Sequence, residues 1–208
     1  MRCHCEDAGR AWASLVLKVA GVQVIIENEA VIDSSLPQIL VTNHVSWVDV
    51  LVLAAFVPGR YVFVAKKEIE SIPIFGPAVG ACGHIYIDRG DRSRALESLD
   101  IARKRLEEEA PTVIIFPEGT RSATGELGIF KKGAFVLAIQ TRASVVPAAI
   151  FGSRKVMRKG SFLINPGIVR VHYGGPIQVG EYTMHERTEL TRRAQRAVSE
   201  LQKSHGTS

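Results

Sequence analysis

"ILVTNHVSWVDVLVLAAF", residues 39–56, decides how the rest of the chain is read. An apolar run rich in β-branched residues, ILVT, stops at the polar pair Asn43 and His44. Such a run reads as a strand. Ser46, a residue type that favours the start of a helix, then precedes a second apolar run, VDVLVLAAF. The stretch therefore reads as strand, turn, helix. His44 and Asp49 are polar groups at the seam between two segments bound for the interior. On one ideal helix, residues five apart point about 140° away from each other. The pair meets only if His44 lies in the turn and Asp49 in the first turns of the helix. Asp49 then accepts the proton of one imidazole nitrogen, fixes the tautomer and leaves the other nitrogen as a general base. A half-buried histidine beside a helix-capping aspartate is the plainer reading of the same seven residues.

Outward from this stretch the pattern repeats. QILVT (38–42), YVFVA (61–65), HIYI (84–87), TVIIF (112–116), SVVPAAI (144–150) and IVRVHY (168–173) read as strands. Helical patterns alternate with them. In 91–110, Ala95, Leu99, Ala102 and Leu106 share one face. KKGAFVLAIQTR and residues 185–204 are further helices. The order predicts an α/β fold with a mostly parallel central sheet flanked by helices, in one domain over 1–208. In such folds ligands lie beyond the C-terminal ends of the strands. NHVSWVD, DRGDR and PEGTRS all follow strands, so they are expected on one rim.

Composition narrows the function classes. The chain has 26 Lys and Arg against 21 Asp and Glu, a net charge of +5. That balance suits anionic partners such as phosphorylated substrates or a membrane face. No basic block is interleaved with aromatics, which argues against nucleic acid. RKVMRK (154–159) is the densest basic cluster. The three cysteines, Cys3, Cys5 and Cys82, do not make a disulfide framework and suggest a reducing compartment. CHC at 3–5 has metal-ligand residue types but no second cluster to close a site, so no metal is expected. AWASLVLKVAGVQVII (11–26) is shorter than the roughly 20 residues a membrane span needs and contains Lys18 and Gly21. It reads either as a helix lying in a membrane interface, with Trp12, Leu15 and Leu17 dipping into lipid, or as a helix packed on the domain.

The dyad has no nucleophile beside it. There is no G-x-S-x-G elbow and no nearby cysteine in the sequence. The base then acts on a hydroxyl of the substrate, and the chemistry is group transfer to that hydroxyl. In FPEGTRS (116–122), Arg121 offers a planar fork for phosphate. Glu118 either holds Arg121 or accepts a substrate hydroxyl, and Gly119 allows close backbone approach. Arg89, at the end of HIYIDR, and Lys66, after YVFVA, add cations at other strand ends. SIPIFGPAVGACG (71–83) reads as a lining for an acyl chain or as a buried loop.

These residues resemble a known family, the lysophosphatidic acid (1-acyl-sn-glycerol-3-phosphate) acyltransferases and their glycerolipid acyltransferase relatives. Four blocks carry the resemblance in order: NHVSWVD, GHIYIDR, FPEGTRS and VVPAAI. AKKEI and FKKGAF match too, and the likeness covers roughly residues 20–180. It implies that His44 is the catalytic base and Asp49 its orienting group. It implies that Lys66, Arg89, Glu118, Gly119, Thr120 and Arg121 bind the phosphorylated acceptor. The acyl donor would be a thioester, acyl-CoA or acyl carrier protein, with no metal and no further cofactor. The product would be phosphatidic acid, made at the cytoplasmic face of a membrane. Backbone N–H groups near Gly119 are expected to stabilise the oxyanion. Other acceptors, glycerol 3-phosphate or a lyso-ornithine lipid, remain open, as do a non-catalytic lipid-binding module and a hydrolase.

Overall fold

The protein is described from a computed structural model covering residues 4–71, 79–88, 90–109, 111–161 and 163–205, side chains of residues 4, 92, 95 and 96 excepted. Seven strands form one sheet: β1 (Val22–Glu27), β2 (Gln38–Thr42), β3 (Tyr61–Lys66), β4 (Ile85–Ile87), β5 (Thr112–Ile115), β6 (Ser144–Phe151) and β7 (Gly167–Tyr173). Their order across the sheet is β1-β7-β6-β2-β5-β3-β4. All neighbours are parallel except β6 and β7. The expected α/β architecture is therefore present, with β1 and β7 running opposite to the other five strands.

The strand sequences explain the layering. Every residue of β2 is buried. Ile39 and Val41 enter one core, and Leu40 enters the other. A strand covered on both faces needs a continuous apolar run, which is what β2, β5 and β6 contain. Helices α3 (Arg92–Glu109), α4 (Gly133–Thr141) and α6 (Arg187–His205) cover one face through Ala102 and Leu106, Phe135 and Leu137, and Leu190, Ala194 and Val198. Helices α1 (His4–Val19), α2 (Val48–Phe56) and the short α5 (Ser153–Val156) cover the other with Leu17, Val48, Val52, Leu53 and Val156. Ala95, expected on the inner face of α3, lies outside the described side chains.

The N-terminal region differs from the sequence expectation in three ways. Residues 11–26 are not one helix: α1 ends at Val19 and Val22–Glu27 form β1, paired with β7. Gly21 makes the break. Its φ of 69° is the left-handed conformation that terminates helices, and a Cβ there would stand 3.2 Å from Pro166. Leu17 does not face outward; it is fully buried, worth about 2 kcal/mol for a leucine. Trp12, Leu15 and Val19 do face outward, on the opposite side of α1 from Ala13 and Leu17. Finally, Cys5 and Cys82 form a disulfide, with Cα atoms 5.3 Å apart and 77 residues between them in sequence. The reading of the cysteines as a free, reduced set is thereby corrected: one bridge needs only two of the three. Most of the glycine-rich stretch 71–83, expected to line an acyl site, falls outside the described residues.

Candidate active site

β2 ends at Thr42, and the next residue bends the chain without leaving the sheet. The Asn43 side chain is buried and takes the place of a ladder residue: Oδ1 accepts from Ile150 N at 2.8 Å and Nδ2 donates to Ile150 O at 3.0 Å. His44 follows in the turn and Asp49 sits in the first turn of α2, as the spacing required. His44 Nδ1 lies 2.8 Å from Asp49 Oδ2. The same oxygen accepts the backbone N–H groups of Val45 and Ser46, each at 2.8 Å. Asp49 is fully buried, and its second oxygen has no hydrogen-bond partner among the described residues. Asp49 Oδ2 is the acceptor for two backbone N–H groups and meets the ring in the same role, so Nδ1 donates to it. Nε2 of His44 is then the lone-pair nitrogen, and no described residue bonds to it. The imidazole is 14% exposed.

Ser46 acts as the expected cap in a modified way. Its Oγ accepts from Val48 N at 3.1 Å and donates to Met157 O at 2.8 Å, fastening the start of α2 to the segment after β6.

FPEGTRS leaves β5, the neighbour of β2, and wraps around the histidine. Phe116 stacks on the imidazole, ring centroids 3.9 Å apart and 18° from parallel. Ser122 N donates to His44 O at 2.7 Å. Glu118 is buried, and burial pushes its carboxyl above the usual range while N–H groups from Gly128 and His44 pull it partly back. Its Oε1 accepts from His44 N and its Oε2 from Gly128 N, both at 2.8 Å. The Arg121 guanidinium lies over the Trp47 ring at 5.2 Å, a cation–π contact. Lys159 Nζ donates to Arg121 O at 2.7 Å and Arg154 Nε to Ala123 O at 3.0 Å, so the RKVMRK cluster braces this loop. Thr120 is exposed on the same loop.

Two expectations fare differently. The Gly119 N–H donates to Phe116 O at 3.0 Å and is engaged in the turn, so an oxyanion donor near Gly119 would be another backbone N–H of this loop. Lys66 ends β3, two strands from β2 and so roughly 10 Å across the sheet. Its ammonium pairs with Glu68 at 2.6 Å. Arg89 lies outside the described residues. The structure thus gathers His44, Asp49, Glu118, Gly119, Thr120 and Arg121, and leaves Lys66 aside. Sequence reasoning missed Phe116, Asn43 and Trp47. The latter two sit inside the NHVSWVD block already singled out, and Phe116 opens FPEGTRS.

A strand-end histidine steered by a buried aspartate, framed by an FPEGTRS loop, matches a family model. The model, described as Acyltransferase, spans residues 23–151. The chain belongs to the acyltransferase family. Among relatives, the chain is 34% identical over 174 residues to the 1-acyl-sn-glycerol-3-phosphate acyltransferase of Cocos nucifera, covering 84% of this chain and 56% of that protein. It is 37% identical over 171 residues to a chloroplastic 1-acyl-sn-glycerol-3-phosphate acyltransferase of Arabidopsis thaliana, covering 81% and 47%. The fold matches the crystal structure of the 1-acyl-sn-glycerophosphate acyltransferase PlsC from Thermotoga maritima. That match has a TM-score of 0.78 and 27% identity, covering 95% of this chain and 79% of that one. The chain spans about half to three fifths of the length of the plant relatives.

Proposed function

We propose that the protein transfers a fatty acyl group from a thioester to the sn-2 hydroxyl of 1-acyl-sn-glycerol 3-phosphate, giving phosphatidic acid. The observation that carries this reading is the His44 ring: Nδ1 is held by a buried carboxylate, and Nε2 is unbonded among the described residues. Nε2 takes the proton of the acceptor hydroxyl as its oxygen attacks the thioester carbonyl carbon. The carbon–sulfur bond breaks, and the leaving thiolate takes the proton from the imidazolium. Asp49 stabilises that imidazolium, a contribution of roughly 10²–10⁴ in rate for a positioned base. No serine or cysteine side chain among the described residues bonds the imidazole, which supports direct transfer over an acyl-enzyme. Arg121, over the Trp47 ring and braced by the exposed cations of 154–159, provides the anionic-headgroup contact. The names of the relatives support the acceptor.

The membrane is the expected place of work, since lysolipid and product both reside there. Trp12, Leu15 and Val19, exposed along one stripe of α1, are suited to peripheral attachment. No helix among the described residues is long and apolar enough to cross a bilayer. Purified protein offered acyl-CoA or acyl carrier protein thioester with mixed acceptors, and its lipids read by mass spectrometry, should yield phosphatidic acid from 1-acylglycerol 3-phosphate. Release of free fatty acid alone, or preference for a lysolipid without phosphate, would overturn the reading.

A further inference from the structure

The FPEGTRS carboxylate was expected to contact substrate. Its geometry points elsewhere. Each Glu118 oxygen accepts one backbone N–H, from His44 and from Gly128, at 2.8 Å. The side chain is 8% exposed. Three chain segments meet there: the turn after β2, the loop after β5, and the Gly128 loop that leads to α4. Ser122 N bonded to His44 O completes the clasp, so both main-chain polar groups of His44 are held by the FPEGTRS loop. Asp49 and Phe116 hold the ring, Asp49 also holds the Val45 and Ser46 N–H groups that follow it, and the clasp holds the main-chain groups of His44 itself.

We infer that Glu118 is a positioning residue for the base, setting the His44 backbone against the acceptor site, and not a ligand of the acceptor. This rests on the acyl-transfer reading above. A reacting atom displaced by about 1 Å can cost on the order of a hundredfold in rate, while Arg121 is held separately by Trp47 and Lys159. The chain offers two independent ways to loosen the clasp. Glu118→Gln keeps one acceptor oxygen and turns an amide donor toward the other N–H. Gly128→Ala keeps the carboxylate but places a Cβ 2.8 Å from Glu118 Oε2, so the oxygen must move.

Two readouts decide the matter, taken on both variants with their melting temperatures. In steady-state kinetics, kcat is expected to fall roughly 10- to 100-fold while the KM for the lysolipid stays within about threefold. Hydrogen exchange at the His44 amide is expected to accelerate in both, because its buried acceptor is lost or moved. A raised acceptor KM with kcat preserved would overturn the inference, as would unchanged kinetics. If the wild-type chain transfers no acyl group, the functional reading fails separately, and amide exchange alone judges the clasp. Faster exchange in the variants then supports it, and unchanged exchange ends it.

Discussion

His44 and His172 each place Nδ1 2.8 Å from a carboxylate oxygen, yet the two pairs sit in different environments, one in the turn after β2 and one between β7 and the end of β1. The imidazoles are almost equally exposed, 14% and 12%. The partners differ: Asp49 is fully buried and accepts two backbone N–H groups, whereas Glu27 is 40% exposed at the end of β1. The second nitrogens differ more. Nε2 of His172 lies 2.9 Å from the Asn28 amide, so both of its ring nitrogens are engaged within the protein. Nε2 of His44 has no such partner among the described residues. A histidine–carboxylate distance therefore does not identify a base. A buried, rigidly held partner and an unused nitrogen are what set the His44 pair apart.

The largest way to break this comparison is Asp49→Asn. The asparagine oxygen can keep the place of Oδ2 and its three contacts, but the negative charge that stabilises an imidazolium is lost. Initial acyl-transfer rates should fall by at least about a hundredfold, whereas Glu27→Gln should leave the rate within about twofold. A small loss at Asp49 would remove the distinction between the pairs.

His84 sharpens the comparison as a third histidine, one with no carboxylate bonded to it among the described residues. Burial first, and then the nearby Arg105 guanidinium, push its pKa down to about 4. Tyr61 and Phe63 flank its ring, and its Nδ1 accepts from Phe63 N at 3.3 Å. The unfolded chain takes up a proton near pH 6.5 and the folded one only near 4. Between those values the unfolded state binds more protons, so stability falls as pH is lowered, by at most about 3 kcal/mol at 1.36 kcal/mol per unit. Urea melts from pH 7 to pH 4.5 should show this decline, and His84→Gln should flatten it.

Much of the site was legible because its chemistry depends on side-chain spacing. The five-residue offset of His44 and Asp49 makes sense only across a strand-to-helix turn, and that turn is where they are. The buried strands were legible because a strand covered on both faces needs an unbroken apolar run. β1 was not: VQVII continues the apolar character of α1, and only the conformation of Gly21 separates them. The Cys5–Cys82 bridge was not legible because its partners are 77 residues apart and are joined by tertiary packing alone. The hydrogen bonds of Glu118 were not legible for a related reason. Its partners are backbone N–H groups, which every non-proline residue has and no sequence pattern marks. The Lys66 ammonium was over-read because a strand end is a rim position wherever the strand lies, and β3 lies two places from β2.

The most direct measurement sets His44→Ala beside His172→Ala, with acyl-transfer rates of purified, folded protein compared to the unaltered chain. The account predicts a loss of at least about a hundredfold at position 44 and a change of no more than about twofold at 172. A folded His44→Ala protein that retains its rate, or equal losses at both positions, would contradict it.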